Sequence, residues 1–182
     1  PIAFADESAD PARYDLEYGA PGLDVPFYLA LAEQTGGPVL DVATGTGRVA
    51  LALAEAGHEV TAVDNAPAMV AFAAAKDEND TVAWLEQDAR ELKVRGRFGL
   101  AVIAGNALQQ FLGNADRAEV LKAVYRHLTP GGTLALADGL PIPATELRLM
   151  ETPLTIDVTI DTVTGQARAE VWSVVVFGAK DL

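Results

Sequence analysis

The sequence predicts an α/β protein built on a doubly wound, mostly parallel sheet. Between residues 39 and 137, short apolar runs alternate with segments of helical spacing. The runs are apolar on both faces, which is typical of strands covered by helices on both sides of a sheet. The intervening segments are about 10–14 residues long, the usual length of a crossover helix. A chain of 182 residues fits one such domain.

Local signals define the helices and strands in chain order. Asp24 is placed as a helix N-cap, and later helices begin at Pro67 and, with a cap, at Asn114. Gly57 ends the helix that starts after Gly47. The predicted strands span residues 39–42, 59–63, 81–85, 100–104 and 133–137.

The two ends of the chain have a different pattern. Residues 1–23 mix Pro and Gly with acidic and aromatic residues, and we expect an irregular arm with at most one short helix near Tyr14. Residues 24–140 form the predicted α/β domain. Within residues 141–182, strict alternation over 154–161, a turn at Thr164-Gly165 and a second strand over 167–177 predict an antiparallel hairpin.

Charge and composition exclude several kinds of function. Lys and Arg total 13 and Asp and Glu total 26, so the net charge is −13, which predicts no nucleic-acid and no membrane partner. The absence of Cys excludes disulfides, Cys-ligated metals and Cys nucleophiles, and with two His we expect no metal site. Without a signal peptide or an apolar run of about 18 residues, we expect a cytoplasmic protein that handles small molecules.

Residues 41–48, Asp-Val-Ala-Thr-Gly-Thr-Gly-Arg, are the segment most informative about function. A strand ends there, Gly45 and Gly47 make a tight turn, and a helix begins whose free N–H groups attract negative charge. Asp64 ends the next strand, where a carboxylate can accept two hydrogen bonds from a ribose diol. Because parallel strands end at one edge of a sheet, the loop and Asp64 predict a nucleoside-binding crevice.

Two classes of nucleoside ligand compete for this crevice. Residues 45–50 can be aligned with the dinucleotide-binding pattern, with Ala50 as the third small residue, and the alternative is then an NAD-dependent oxidoreductase. However, Asp41 lies just before the loop, where a pyrophosphate would be repelled, and Asp88 is a third acid at a strand end. Acids in these places favour a ligand that carries ammonium and sulfonium charge.

The segment Val39-Leu-Asp-Val-Ala-Thr-Gly-Thr-Gly47 resembles the first motif of class I S-adenosylmethionine-dependent methyltransferases. Its Ala-Thr before the glycine is similar to ubiquinone/menaquinone-type members, although the family usually has Gly where Ala43 stands. The resemblance continues, in the same order, through residues 63–69, 86–92 and 128–134. It covers about residues 24–140 and implies a Rossmann-like methyltransferase fold.

The resemblance also implies the cofactor and its contacts. The cofactor would be S-adenosyl-L-methionine, with S-adenosyl-L-homocysteine as product and a small-molecule acceptor. Asp41 would hold the methionine amino group indirectly, Asp64 the ribose hydroxyls and Asp88 the adenine amine. The full set of expected cofactor-binding residues is Tyr14, Asp41, Ala43, Gly45, Gly47, Asp64, Asn65, Asp88, Ala89 and Asn106, and the expected catalytic residues are Asn106 and Tyr18.

Other features of the sequence bear on the acceptor. Asn106-Ala107-Leu108-Gln109 is not the Asn-Pro-Pro-aromatic run of enzymes that methylate adenine or glutamine nitrogen, so small acceptors are favoured. The C-terminal hairpin either completes the sheet or forms an apolar flap that covers the acceptor or mediates a homodimer, and its strict alternation favours the flap. A non-catalytic protein that binds the same cofactor remains a third alternative, because the sequence contains no convincing general base.

Overall fold

The computed structural model describes residues 10–19, 22, 24–138, 154–157 and 173–178, and the structural statements below concern these residues. Their strands form one sheet in the order β3-β2-β1-β4-β5-β7-β6. Strands β1 to β5 are parallel, whereas β7 is antiparallel to both β5 and β6. The strands are β1 (Val39–Val42), β2 (Val60–Asp64), β3 (Val82–Glu86), β4 (Phe98–Ile103), β5 (Leu128–Asp138), β6 (Leu154–Asp157) and β7 (Ser173–Gly178).

Helices connect the parallel strands. They are α1 (Pro11–Tyr18), α2 (Val25–Thr35), α3 (Arg48–Glu55), α4 (Pro67–Lys76) and α5 (Asn114–His127), with short 3-10 helices at Ala89–Glu91 and Ala107–Gln110. Strand and helix alternate from β1 to β4, and α5 precedes β5. The predicted fold class, a doubly wound and mostly parallel sheet, is confirmed.

The core has one apolar layer on each face of the sheet. Successive residues of β1 point to opposite faces, as strand geometry requires, so Val39 joins one layer while Leu40 joins the other. Helices α2 and α3 cover the Val39 layer, for example through Leu53. Helix α5 covers the Leu40 layer through Val120 and Val124. Burial on both faces explains the continuous apolar runs in the sequence.

The structure confirms one of the two predicted N-cap positions and shifts the other by one residue. Asp24 occupies the N-cap position of α2, but its side chain makes no cap hydrogen bond because both carboxylate oxygens accept from Arg48. The predicted cap at Asn114 is wrong by one residue, since Gly113 holds the N-cap position and Asn114 is the first helical residue. Cap preference alone does not distinguish Asn at the cap from Asn one residue later.

The described strands of the C-terminal hairpin extend the sheet. Residues 173–178 of β7 pair with residues 133–138 of β5, and β6 pairs with β7. These short segments lie in the sheet, where the free edge of β5 offers backbone groups with which a strand can pair. Residues 139–153 and 158–172 lie outside the described residues, so the assignment of 141–182 as a whole and the homodimer remain predictions.

Candidate cofactor site

The loop between β1 and α3 is built from left-handed backbone. Gly45 has φ 58 and Gly47 has φ 82, and Ala43 shares this region with φ 56. The conformation is free for glycine but costs a residue with a Cβ about 1 kcal/mol or more. Glycine would therefore be less strained than alanine at position 43. Glycine is also the usual residue there in the family that the motif resembles.

Asp64 ties this loop to the end of β2. Its Oδ2 accepts a hydrogen bond of 2.8 Å from the Gly45 N–H, and its Oδ1 accepts one of 2.9 Å from the Ala66 N–H. A second loop contact runs from the Thr44 N–H to the Val63 carbonyl, at 3.0 Å. Each carboxylate oxygen of Asp64 retains a second lone pair, so the side chain can still accept from a diol. The structure thus brings the predicted loop and the predicted ribose acid together.

Asp41 lies beneath the loop and is only 1% exposed. Its Oδ2 accepts a hydrogen bond of 2.7 Å from the Thr44 hydroxyl. Burial raises the pKa of Asp41 to about 7, against the opposing effects of the Thr44 hydrogen bond and the Arg48 charge. A carboxylate in this position can influence a cationic ligand above the loop without facing solvent, consistent with the indirect contact that was predicted.

Asp88, at the end of β3, is held by a residue that sequence reasoning missed. The Arg90 guanidinium donates to both Asp88 oxygens, at 3.0 Å from Nε and 2.6 Å from Nη2, and its Nη1 donates to Asp116 of α5. The Arg90 hydrogen bond lowers the pKa of Asp88. Of its predicted neighbours in adenine binding, Ala89 is buried and Asn65, on the adjacent loop, is exposed.

Helix α1 brings the predicted aromatic pair to the loop. Its Asp15 accepts a hydrogen bond of 2.7 Å from Lys76 Nζ of α4. A Cβ added at Gly45 would lie 3.7 Å from Tyr14 Cε1, so the Tyr14 ring lies against the glycine loop. The Tyr18 ring centroid is 4.9 Å from that of Tyr14, but Tyr18 is 52% exposed.

Asn106 follows β4, the strand beside β1, and caps the short 3-10 helix over Ala107–Gln110. Its φ of 60 is left-handed, a conformation that Asn tolerates better than most residues. Topology therefore puts Asn106 at the same edge of the sheet as the glycine loop. The structure brings the strand-end residues to one edge, and their individual roles remain predictions.

A polar cluster of Asp24, Arg48 and Tyr28 near Asp41 was not predicted from the sequence. Arg48 Nη1 and Nη2 donate to the two carboxylate oxygens of Asp24, at 2.7 and 2.9 Å. The Tyr28 hydroxyl is buried nearby and has no hydrogen-bond partner within the described residues. Asp24 and Arg48 are 24 positions apart with no periodic relation, so only the folded chain reveals the pair.

Within the described ranges, no three His, Asp or Glu side chains are grouped so that they could hold a metal ion. The helices among these residues are all too short or too polar to cross a bilayer.

The strand order, the glycine loop after β1 and the acid at the end of β2 together define a class I S-adenosylmethionine-dependent methyltransferase. Residues 39–132 match the family described as "Methyltransferase domain". This match covers just over half of the chain, and the chain belongs to that family. The resemblance seen in the sequence motifs is thereby confirmed.

Individual relatives have several kinds of acceptor. A demethylmenaquinone methyltransferase of Thermus thermophilus is 41% identical over 110 residues, which are 58% of this chain and 48% of that protein. A glycine/sarcosine N-methyltransferase of Parasynechococcus marenigrum is 32% identical over 115 residues, 60% of this chain and 41% of that protein. This chain thus spans less than half the length of these two curated relatives.

A solved structure with the same fold is CalS10, an amino pentose methyltransferase from Micromonospora echinaspora determined with S-adenosylmethionine bound. The two structures align with a TM-score of 0.60 and 27% sequence identity, over 72% of this chain and 58% of that chain.

Proposed function

We propose that this protein transfers the methyl group of S-adenosyl-L-methionine to a small-molecule acceptor. The observation that carries the proposal is the glycine loop with Asp64 bonded to its Gly45 N–H and Asp41 buried beneath it. Membership of the methyltransferase family and the fold shared with CalS10 support the same conclusion.

The donor set of the site fits this cofactor. Asp41 lies within β1, Asp64 ends β2 and Asp88 follows β3, three neighbouring strands. The nearby Arg48 guanidinium is already paired with Asp24. Carboxylates favour the ammonium and sulfonium charges of the cofactor and disfavour the diphosphate of NAD. The NAD-dependent oxidoreductase therefore has no support from the site.

In the proposed reaction, the residues of this chain mainly bind and orient. When bound, S-adenosylmethionine would supply an electrophilic methyl group to an acceptor held in line and would leave as S-adenosylhomocysteine. Asp64 binds the ribose hydroxyls, while the Tyr14 and Tyr18 rings cover the loop and exclude water. Asn106 orients the acceptor at the methyl group.

The acceptor is proposed to be nucleophilic without a strong protein base. The chain contains only two His residues. One of them, His127, contacts the Ala123 carbonyl one helical turn earlier in α5, at 2.7 Å from its Nδ1, so this contact is local to the helix. An amine acceptor such as that of glycine/sarcosine N-methyltransferase needs no strong base once it is neutral. The net charge of −13 further supports an acceptor other than nucleic acid, and a cytoplasmic location remains part of the proposal.

The ribose contact of Asp64 gives the test of this proposal. We expect Asp64→Ala to weaken S-adenosylhomocysteine binding by about 1.5–3 kcal/mol, because a hydrogen bond to a charged group is lost. Calorimetry with an analogue that lacks the 2′-hydroxyl separates this contact from damage to the loop. If Asp64 binds the diol, the wild type should bind the analogue more weakly than S-adenosylhomocysteine. Asp64→Ala should bind the two ligands with nearly equal affinity.

Glu78→Ala is the matched control, since it removes the same charge from an exposed residue beyond the end of α4, at the opposite edge of the sheet. Its affinity should equal that of the wild type. Unchanged affinity in Asp64→Ala would remove the ribose assignment. Turnover with a panel of small amines and hydroxyl compounds then separates an enzyme from a protein that only binds the cofactor.

A further inference from the structure

The strongest unassigned feature is the ion pair that joins α2 to the start of α3. Arg48 is the first residue of α3, directly after the glycine loop, and both of its Nη atoms donate to Asp24, the residue before α2. Such a paired, fork-shaped contact fixes the guanidinium more strongly than a single hydrogen bond does. A Cβ on Gly22 would lie 2.9 Å from Arg48 Nη1, so the Gly22 backbone packs closely on the pair.

Among the described residues, this guanidinium is a positive charge that acts on the Asp41 carboxylate and favours its ionised form. The groups that act on Asp41 are the Thr44 hydroxyl, the Ala50 N–H, the Asp64 carboxylate and the Arg48 guanidinium. Tyr28 of α2 completes the cluster; burial raises its pKa, so it stays neutral and adds no charge. Asp41 itself is fully buried, and a buried carboxylate is ionised only when a nearby charge or hydrogen bond compensates for lost water.

We propose that Arg48 is a positioning residue of the cofactor site: fixed by Asp24, its guanidinium keeps the buried Asp41 carboxylate available as an anion beneath the cationic methionine end of the cofactor. The inference rests on the proposed function, because it assigns a role within the same site. Arg48 acts through Asp41 and needs no contact with the cofactor.

The electrostatic consequence has a definite sign. Burial raises the pKa of Asp41 to about 7 even with Arg48 in place. Removing the guanidinium raises it further, so a larger fraction of Asp41 is protonated and neutral near pH 7. Cofactor affinity should therefore increase with pH through about 7 in the wild type, and in a variant without the Arg48 charge this increase should occur at higher pH.

The experiment is titration of S-adenosylhomocysteine by calorimetry between about pH 5.5 and about pH 9, with Arg48→Met and Arg48→Gln. Asp41→Asn provides the baseline, since its remaining pH dependence comes from the ligand and the rest of the protein. We expect both Arg48 variants to lose affinity about tenfold near pH 6.5, which corresponds to a shift of one pKa unit, and much less near pH 9. Arg48→Lys keeps the charge but loses the paired contact with Asp24, so its midpoint should lie between those of the wild type and Arg48→Met.

Arg95→Met is the control for loss of one positive charge, because Arg95 is exposed and precedes β4 at the opposite edge of the sheet. Its profile should match the wild type.

An equal loss at every pH in Arg48→Met and Arg48→Gln would mean a purely structural role and overturn the inference. If the wild type fails to bind S-adenosylhomocysteine at any pH, the proposed function fails instead. Thermal unfolding of each variant identifies any that does not fold, and Arg48→Gln retains donors for Asp24 if Arg48→Met is lost.

Discussion

Gly47 is the position in the glycine loop with least room for a side chain. An added Cβ would lie 2.6 Å from Trp84 Cη2 and 3.1 Å from the Ala73 Cβ. The Trp84 ring cannot turn away freely, because its Nε1 donates to Asp77 at 3.1 Å. Glycine is therefore required at position 47 by both its φ of 82 and its packing.

Gly57 allows the effect of backbone conformation to be measured without the effect of packing. It has φ 92, but a Cβ there would meet nothing within 4 Å. We expect Gly57→Ala to lower the free energy of unfolding by about 1–2 kcal/mol through backbone strain. Gly47→Ala should cost about 1–3 kcal/mol more through overpacking and should weaken S-adenosylhomocysteine binding. Denaturant unfolding and calorimetry measure both effects, and equal losses in the two variants would contradict the packing explanation.

The positions of the acids in the site could be predicted from the sequence, but the contacts of their side chains could not. The positions of Asp41, Asp64 and Asp88 at strand ends followed from the apolar runs that precede them. Their partners did not, because the Gly45 N–H reaches Asp64 only when the loop folds against β2, and the Arg48 charge acts on Asp41 only in the folded chain. Asp24 holds the predicted N-cap position of α2, but its side chain pairs with Arg48 and does not cap the helix, since a carboxylate serves either purpose.

At the scale of elements, Asp77 connects the end of α4 to β3. Its carboxylate accepts from the Thr81 N–H and hydroxyl, at 3.0 and 2.7 Å, from the Val82 N–H at 2.9 Å and from Trp84 Nε1. Burial alone would raise the pKa of Asp77, but these hydrogen bonds outweigh it and lower the pKa to about 2. The same acid thus fixes the α4–β3 turn and the Trp84 ring beneath the glycine loop.

We expect Asp77→Asn to lower the free energy of unfolding at pH 7 by about 1–3 kcal/mol, because an amide N–H₂ would face donors. The folded pKa of about 2 lies below the ordinary 3.8, so the ionised form stabilises the fold above about pH 4. That contribution is lost as pH falls towards 2. Urea denaturation at several pH values should show this acid loss in the wild type and less of it in the variant.

Asp80→Asn is the control for this substitution. Asp80 is exposed and left-handed with φ 51, a conformation that Asn tolerates. Its stability and acid dependence should match those of the wild type. A control that loses as much stability as Asp77→Asn would mean that the chemistry of the turn, and not the four donors, is responsible.

A strand or helix could be predicted where a single sequence pattern was clear. The five parallel strands followed from runs that are apolar on both faces, and α3 and α4 followed from Gly47 and Pro67. The edge of the sheet was less predictable, because the period-two alternation of the C-terminal hairpin fits a flap as well as an edge pair. Pairing of β7 with β5 depends on a free strand edge that exists only in the assembled sheet.

At the scale of the whole molecule, the dominant long-range term is the net charge of −13. The described ion pairs include partly buried ones, Arg48–Asp24 and Lys76–Asp15, and exposed ones such as Lys122–Glu119. Exposed pairs contribute little, about 0–1 kcal/mol each. Repulsion among the excess carboxylates acts against the compact state at every point of the surface.

We therefore expect salt to stabilise the fold. Raising NaCl from about 0.05 M to about 0.5 M shortens the screening length and weakens this repulsion more than it weakens the buried pairs. Unfolding temperature, measured by calorimetry, should rise by about 2–4 °C, the shift that about 1 kcal/mol produces in a chain of this size. The double variant Glu55→Gln, Glu59→Gln removes two exposed charges near the start of β2 and should show a smaller rise. A temperature that falls with salt would mean that attractive pairs, led by Arg48–Asp24, outweigh the repulsion of the acidic surface.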